Sequence, residues 1–441
     1  MSARGFRGGI HPPDCKDLTR DKAIEILALP EKVVIPLRQH IGAPAEALVE
    51  VGALVKKGQV IGQAKGFVSA PVHSSLSGKV KKIANYPHPS GPEMLAVEIE
   101  SDGEDAWVEG LTEERDIEKL TVQKIKDKIT AAGIVGLGGA AFPTHVKLAP
   151  PEDRKIETVI LNGAECEPYL TADHRLMVEE ADAIIEGLQV LMRVLGVTKG
   201  YVGIEDNKPE SLTSMMRAAA GTPIEVVSLH VKYPQGAEKQ LIKAINNKEV
   251  PPGGLPMDVG VVVQNVGTAY AVYEAVKYGR PLIERITTVT GHGIKEPKNL
   301  KVRIGTATQE VIDACGGFND EMGRLIYGGP MMGIGHYNLD VPIVKGTSGI
   351  LVMRADEIRE RESQPCIRCG RCSSVCPMYL EPSAMGIFSE RDRFDDAEKY
   401  NVMDCIECGC CSFVCPSDRP LVHLFRYAKS EIVKKRKKEV N

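Results

Sequence analysis

Two copies of one cysteine pattern constrain this chain more than anything else in its 441 residues. Cys366-Ile-Arg-Cys369-Gly-Arg-Cys372-Ser-Ser-Val-Cys376-Pro377 returns as Cys405-Ile-Glu-Cys408-Gly-Cys410-Cys411-Ser-Phe-Val-Cys415-Pro416, and both read C-x2-C-x2-C-x3-C-P. Three thiolates separated by pairs of residues wrap one face of an iron–sulfur cubane. The fourth, followed by a proline suited to a first helical turn, is aimed at the other cluster. The spacing therefore assigns Cys366, Cys369, Cys372 and Cys415 to one 4Fe–4S centre and Cys405, Cys408, Cys411 and Cys376 to a second. A pair of zinc sites needs only paired C-x2-C knuckles and leaves the third cysteine and the proline of each copy unexplained. Crosswise sharing brings the two clusters close, which makes the segment an electron relay. Cys410 fits neither register and reads as a packed neighbour, while Cys15 and Cys315 read as ordinary buried cysteines.

Composition narrows the setting. With 43% hydrophobic residues and 55 basic against 59 acidic side chains, the formal charge is −4, which excludes disorder and a nucleic-acid footprint. The length suggests about three domains. No run approaches the ~20 apolar residues of a spanning helix, and Met1 to Lys16 carries charges and Pro12-Pro13 where a signal peptide would be apolar, so a cytoplasmic protein is expected. A long unsecreted chain with clustered cysteines favours metal ligation over disulfides.

Along the chain, residues 1–30 read as an extended arm whose Gly8-Gly9-Ile10-His11-Pro12-Pro13 is too rich in Gly and Pro for regular structure. Residues 31–115 carry short strands and turns at Val33–Pro36, Leu54–Gly62, Ala70-Pro71 and Gly78–Val80, similar to the flattened barrel-sandwich of biotinyl and lipoyl carriers. Where carriers place their modified lysine this chain has Val68, and Lys65 lacks the carrier motif, so a structural or docking barrel is expected. Residues 116–284 alternate strand and helix: a buried strand over Ile156–Leu161, a helix from Asp173, a strand over Gly200–Glu205, a helix after Pro209, a strand over Ile224–Leu229 and a helix over Ala237–Ile245. That order predicts a Rossmann-like parallel α/β sheet with ligands beyond the carboxyl ends of its strands. Residues 285–345 suggest a small β-grasp module, and residues 346–441 a helical ferredoxin-like domain for the two clusters. Five basic residues, Lys434 to Lys438, close the chain. They read as a solvated helix end or as a membrane-facing tail worth about 1 kcal/mol per residue.

Gly136-Leu-Gly138-Gly139-Ala-Ala-Phe142-Pro-Thr-His-Val-Lys147 precedes the first strand of the sheet, so it is not the strand-GxGxxG-helix fingerprint. Its bare backbone can approach a flat ring or a phosphate, with Lys147 at hand for the charge. Taken alone, it is equally a structural turn.

This segment, followed by Asn162-Gly-Ala-Glu165-Cys166-Glu167-Pro168, Tyr233-Pro-Gln-Gly236-Ala-Glu238 and Val263-Gln-Asn265-Val-Gly-Thr268, resembles the ordered motifs of the NADH-oxidising flavoprotein subunits of respiratory complex I and NAD-dependent hydrogenases. Together with the N-terminal Gly-Gly-Ile-His-Pro-Pro arm, the Gln39-His40-Ile41-Gly42-Ala43-Pro44 barrel entry and the twin cluster motif, nearly the whole chain resembles the C-subunit family of the Rnf complexes, ion-translocating ferredoxin:NAD oxidoreductases. A cobalamin-reductase-type NADH flavoprotein shares the modules but is expected to carry its barrel at the other end. A non-catalytic ferredoxin-like electron-transfer scaffold is the remaining rival.

The resemblance implies FMN contacts at Gly136, Gly138, Gly139, Lys147, Asn162, Glu165, Gly236, Asn265 and Thr268, and NADH contacts at Phe142, Glu167 and Glu238. It implies no side-chain acid or base, an electron relay, and two 4Fe–4S clusters with FMN and NAD(H). It also implies partners among the membrane subunits and the ferredoxin-like cluster subunit of the complex, and a peripheral place on the cytoplasmic side of the membrane. Three positions depart from the pattern: Leu137 replaces an arginine, Ala164 an acidic residue, and Pro150 falls where an aromatic stacks the nucleotide. Glu165 and Glu167 are candidates to tune the flavin, or else an acidic loop favouring the dipole of the next helix.

Overall fold

The computed structural model describes residues 4–319, 322–358 and 362–440. The N-terminal arm contributes β1 (Ile24–Ile26). The barrel follows as β2 (Lys32–Pro36), β3 (Glu46–Ala47), β4 (Leu54–Val55), β5 (Val60–Gln63), β6 (Val72–His73), β7 (Gly78–Tyr86) and β8 (Met94–Ser101). Its two sheets run β2-β8-β7-β4 and β3-β5-β6. Period-two alternation turns Val33, Ile35, Val80, Val97 and Ile99 inward, where all are fully buried.

The α/β domain contains α1 (Val122–Ala131), α2 (Thr144–Lys147), β9 (Thr158–Asn162), α3 (Ala172–Glu179), α4 (Ala181–Leu195), β10 (Gly200–Glu205), α5 (Pro209–Ala218), β11 (Ile224–Leu229), α6 (Glu238–Asn246), β12 (Val261–Asn265) and α7 (Val266–Tyr278). Its sheet, ordered β11-β10-β9-β12, is parallel throughout, as the alternation predicts. Covered by helices on both faces, β9, β10 and β12 are buried almost throughout, while the edge strand β11 alternates. Val159 and Leu161 join α4 and α7 in one core, and Ile160 joins Leu241 and Ile242 of α6 in another. Two features differ from expectation. The helix from Asp173 is two helices, because Glu180 leaves helical geometry at φ −126°, ψ 32°. The break lets α3 lie against α5 while α4 lies along α7. The fourth strand, β12, hides in the sequence within the Val-Gln-Asn motif.

The next sheet is larger than a small module. It comprises β13 (Glu284–Thr290), β14 (Lys298–Arg303), β15 (Met322–Tyr327), β16 (Ile334–His336) and β17 (Gly349–Arg354), with α8 (Thr308–Asp313) packed on it, in the order β1-β14-β13-β17-β15-β16. The arm is thus not irregular throughout, since β1 runs parallel to β14 as the edge strand. The sheet also continues past residue 345, because Ile350, Leu351 and Val352 are a fully buried apolar run that fits only a central position. Buried Lys345 fastens three domains, donating from Nζ to Gly133 O at 2.7 Å and Pro71 O at 3.1 Å.

The C-terminal domain is helical: α9 (Arg371–Val375), α10 (Pro382–Glu390), α11 (Phe394–Lys399), α12 (Cys410–Phe413) and α13 (Leu421–Val440). Met385, Ala397, Leu421, Phe425 and Ala428 form its small core. The basic end of α13 is partly neutralised, Lys434 by Glu431, Lys435 by Asp395 and Arg436 by Glu398. Among the described residues no helix is long and apolar enough to cross a membrane.

Candidate cofactor sites

The parallel sheet places two asparagines side by side at its carboxyl edge, since Asn265 ends β12 in register with Asn162 at the end of β9. Asn162 Nδ2 donates to Gly236 O at 2.7 Å. Asn265 Nδ2 donates to Asp173 Oδ2 at 2.6 Å, and its Oδ1 accepts from Gly267 N at 2.8 Å, capping α7. Four segments meet here: the glycine loop, the acidic loop after β9, the Tyr233–Glu238 loop and the start of α7. The structure therefore brings together most residues implied for FMN.

The glycine loop is held from below. Leu137 N donates to Thr268 Oγ1 at 2.9 Å, and Leu137 O accepts from buried Arg285 Nη2 at 2.9 Å. Gly136 N donates to Phe142 O, closing the loop's neck. A Cβ on Gly138 would come within 2.9 Å of Asn265 Nδ2, whereas one on Gly139 would meet nothing within 4 Å. One glycine is needed for packing, and the other leaves open backbone a ring or phosphate can approach. Lys147 Nζ lies 2.5 Å from Glu238 Oε1 and 3.1 Å from Val263 O.

The acidic loop is held as firmly. Glu165 accepts from Asp173 N at 2.8 Å and His174 N at 3.1 Å, so its carboxylate serves the entry of α3. Burial, then the charge of Glu165, raises the Asp173 carboxyl to about 6. Glu167 accepts from Met331 N at 3.2 Å and Met332 N at 2.8 Å, tying this loop to the glycine turn after β15. Burial lifts its carboxyl to about 7. Buried Lys16, from the arm, donates to Glu165 O and Glu167 O at 2.9 Å each and to Leu170 O.

Bare polar groups remain for a ligand. Both amide atoms of Gln235 and of Gln264, which precedes Asn265, are buried without a hydrogen-bond partner among the described residues, as is Arg285 Nε. Such groups are costly unless satisfied, so a heteroaromatic ring and phosphate with many donors and acceptors fit this edge. Gln235, Gln264, Asp173, Arg285 and Lys16 are not singled out by sequence. The two glutamines lie inside the recognised motifs, but Arg285 and Lys16 act across 148 and 149 residues and carry no local signal.

The cysteine repeats fold as one backbone twice. Arg368 and Glu407 share a left-handed φ, 56° and 57°, as do Gly370 and Gly409, 75° and 83°. In each, a backbone N–H reaches the first cysteine's sulfur: Arg368 N to Cys366 and Glu407 N to Cys405, both 3.4 Å. Short helices α9 and α12 then carry the third cysteine of each repeat, Cys372 and Cys411. Cys376 lines one cavity with Cys405, Cys408, Cys410 and Cys411, beside Met385, Val422 and Phe425. Gln364 N and Ser417 O, 2.9 Å apart, bring the segment before Cys366 beside the one after Cys415. Sulfurs set around a cavity, with backbone N–H groups aimed at them, suit a multi-iron core. Burial raises the Cys405 thiol to about 11 and that of Cys411 further, so loading metal here releases protons.

One residue joins the two sites. Tyr233 Oη donates to Cys408 O at 2.8 Å, while its backbone pairs with Ile10 of the arm in both directions at 2.9 Å. Cys166 Sγ accepts from Gly236 N at 3.3 Å, and Cys410 packs on Tyr233. Cys410 also lines the cysteine cavity.

Four family models match successive stretches of the chain. Residues 4–104 match the RnfC barrel sandwich hybrid domain, 129–274 the Nuo51 FMN-binding domain, 286–335 the SLBB domain and 358–416 a 4Fe-4S dicluster domain. An NAD+-reducing [NiFe]-hydrogenase in the H2-reduced state shares the fold at TM-score 0.50 and 19% identity, over 72% of this chain. The chain spans 63% of that hydrogenase chain. The C-subunit of the proton-translocating ferredoxin:NAD(+) oxidoreductase complex of Clostridium ljungdahlii is 54% identical over 97% of this chain and 94% of its own length. The corresponding subunit of the Na(+)-translocating complex of Acetobacterium woodii is 49% identical over 98% of both. The C-subunit of the ion-translocating oxidoreductase complex of Rhodobacter capsulatus is 46% identical over 98% of this chain and 84% of its length. At 46–54% identity over nearly its whole length to these relatives, the chain belongs to the C-subunit family of ion-translocating ferredoxin:NAD oxidoreductase complexes.

Proposed function

We propose that the chain exchanges electrons between NAD(H) and two 4Fe–4S clusters by way of FMN, as a peripheral subunit on the cytoplasmic face of a membrane complex coupled to Na+ or H+ movement. The observation that carries this reading is Tyr233, which begins one loop of the candidate flavin edge and whose hydroxyl donates to Cys408 O beside the cysteine-lined cavity. FMN supplies the conversion between a two-electron hydride donor and one-electron clusters.

The chain's own residues bind and orient. Gly138 and Gly139 give backbone access, and the N-terminus of α7 favours an anion. Lys147 balances phosphate charge once released from Glu238. Asn162, Gly236, Asn265 and Thr268 fix the loops around the ring, and Gln235 and Gln264 offer free amide groups to it. Glu165 acts through the start of α3, and Gly136 through the neck of the glycine loop. Phe142, Glu167 and Glu238 are the residues assigned to the nicotinamide nucleotide. Cys405, Cys408, Cys411 and Cys376 hold the cluster nearer the flavin, and Cys366, Cys369, Cys372 and Cys415 the outer one. The partners are the membrane subunits and the ferredoxin-like cluster subunit of the complex.

The test is anaerobic purification with iron and flavin counted, followed by NADH. Bleaching of both flavin and cluster absorbance is expected. Full cofactor content with no bleaching would remove NADH as the substrate, and iron without flavin would leave only an electron-transfer scaffold.

A further inference from the structure

The Gly8-Gly9-Ile10-His11 stretch of the arm is a motif that neither cofactor site absorbs, and its course through the fold gives it a task. The arm runs first along the end of β11, where Arg4 N donates to Ser228 O at 3.2 Å and His230 N to Arg4 O at 2.9 Å. Phe6 O then accepts from Lys232 Nζ at 3.1 Å. At Gly9 and Ile10 the arm becomes the middle one of three backbones. Ile10 exchanges both hydrogen bonds with Tyr233 at 2.9 Å, and Gly9 N donates to Val375 O at 2.8 Å, one residue before Cys376. Beyond this crossing the arm is pinned again. Lys16 holds the carbonyls of Glu165 and Glu167, Thr19 Oγ1 lies 2.7 Å from Thr171 Oγ1, and β1 joins the β-grasp sheet.

Both glycines take a left-handed φ, 82° at Gly8 and 76° at Gly9. Both also face backbone: a Cβ on Gly8 would lie 2.9 Å from Cys376 O, and one on Gly9 2.6 Å from Tyr233 O. A side chain at either place would be strained and would force the backbones apart. Direct links between the α/β and cluster domains use side chains instead. Tyr233 Oη reaches Cys408 O, Gln240 Nε2 reaches Pro377 O at 3.0 Å, and Asp404 Oδ1 accepts from Gly253 N at 2.8 Å. Among the described residues these two domains share no backbone–backbone hydrogen bond of their own, so the ladder through the arm is the stiff link between them.

We propose that Gly8 and Gly9 are positioning residues for electron transfer: they let the arm fix the gap between the flavin edge, held at Tyr233, and the inner cluster, held at Cys376. The proposal rests on the functional reading above, in which NADH yields NAD+, one proton and two electrons, one for each cluster. Transfer between two bound centres depends on their separation and orientation, and a small displacement by a change outside the site is felt in the rate. The ladder touches no residue assigned to the nucleotide, so the hydride step is independent of it.

The experiment uses the full chain carrying both cofactors, with iron and flavin counted in the wild type, Gly8→Val and Gly9→Val. After mixing with NADH, flavin bleaching in both variants is expected at the wild-type rate. Cluster reduction, followed by freeze-quench electron paramagnetic resonance, is expected to slow by about tenfold or more. In hydrogen exchange on the same preparations, the amides of Ile10 and Tyr233 should lose protection in Gly9→Val. Should Gly8→Val lose iron by pressing on Cys376, Gly9→Val, which faces Tyr233, decides alone. Wild-type cluster reduction in Gly9→Val at full iron and flavin content, with the two amides exchanging faster, overturns the proposal. An equal slowing of flavin bleaching, or a loss of iron or flavin from Gly9→Val, also overturns it, since the arm would then support the fold and not the transfer. A wild-type chain that holds both cofactors yet bleaches neither with NADH would instead overturn the functional reading, which keeps the two failures apart.

Discussion

The flavin edge and the cluster domain are built on opposite principles. At the flavin edge almost every residue assigned to the cofactor already has a protein partner: Thr268 holds Leu137, Asn265 holds Asp173, Lys147 holds Glu238, and Glu165 holds the start of α3. In the cluster domain four of the eight assigned cysteines line a cavity, and little apolar core lies beneath them. The first region is shaped in advance and receives its ligand. The second depends on its metal for much of its stability, as small metal domains generally do.

Breaking the cluster side should have the largest effect. Cys411→Ala is expected to cost about half the iron and to expose the C-terminal domain to proteolysis, while flavin stays bound to the α/β domain. Iron assay, limited proteolysis and flavin fluorescence on one preparation check this. Cys376→Ala should remove the same centre as Cys411→Ala, and Cys415→Ala the other; matching spectra for Cys376→Ala and Cys415→Ala would break the crossed assignment.

Next comes the flavin side. Lys147→Glu sets two carboxylates together, since Glu238 lies 2.5 Å from the lysine, and removes the cation expected at the phosphate. A loss of roughly a hundredfold in FMN affinity, about 2.7 kcal/mol, is expected, read as the flavin-to-protein ratio after gel filtration. Iron content should not move.

The seam between the regions is pH-sensitive through Glu167. Its carboxyl is raised to about 7, chiefly by burial, above the ordinary carboxylate value. The folded chain therefore binds this proton more tightly than the unfolded one, and the associated stability is complete at low pH and is lost as pH rises through about 7. Relative to Glu167→Gln, the wild type should lose of order 2 kcal/mol between pH 4.5 and 7. Thermal unfolding of both proteins across that range tests it, and parallel pH profiles would show that the carboxyl does not titrate there.

How much of this is legible in the sequence follows from the range of each signal. The cysteine spacing is local chemistry written in four positions, and Cys376 of the first repeat shares a cavity with Cys405, Cys408, Cys410 and Cys411 of the second. Strand β9 is readable because a strand buried on both faces is a short apolar run. The break at Glu180 is not, because α3 and α4 share a helical pattern and part only to reach different neighbours. β17 passes unread beside the cluster motif, and its place between β13 and β15 depends on strands far away in the chain. Lys16 and Arg285 show the limit most plainly: each is a buried cation whose acceptors are fixed by tertiary structure alone.

Glu165 gives the smallest effect and the finest discrimination between the two regions. Its carboxylate accepts two N–H groups at the start of α3, where a negative charge is favourable. The same charge, after burial, raises the neighbouring Asp173 carboxyl. Glu165→Gln keeps one acceptor oxygen, loses the charge and relieves Asp173, so the cost of the weakened cap, about 1 kcal/mol, is partly offset. A fall of a few degrees or less in the unfolding temperature is expected, with FMN and iron content and the flavin midpoint potential unchanged, because the carboxylate serves the helix and not the ring. A shifted flavin potential at full flavin content would mean that the charge reaches the isoalloxazine, and that the preformed edge tunes its cofactor as well as receiving it.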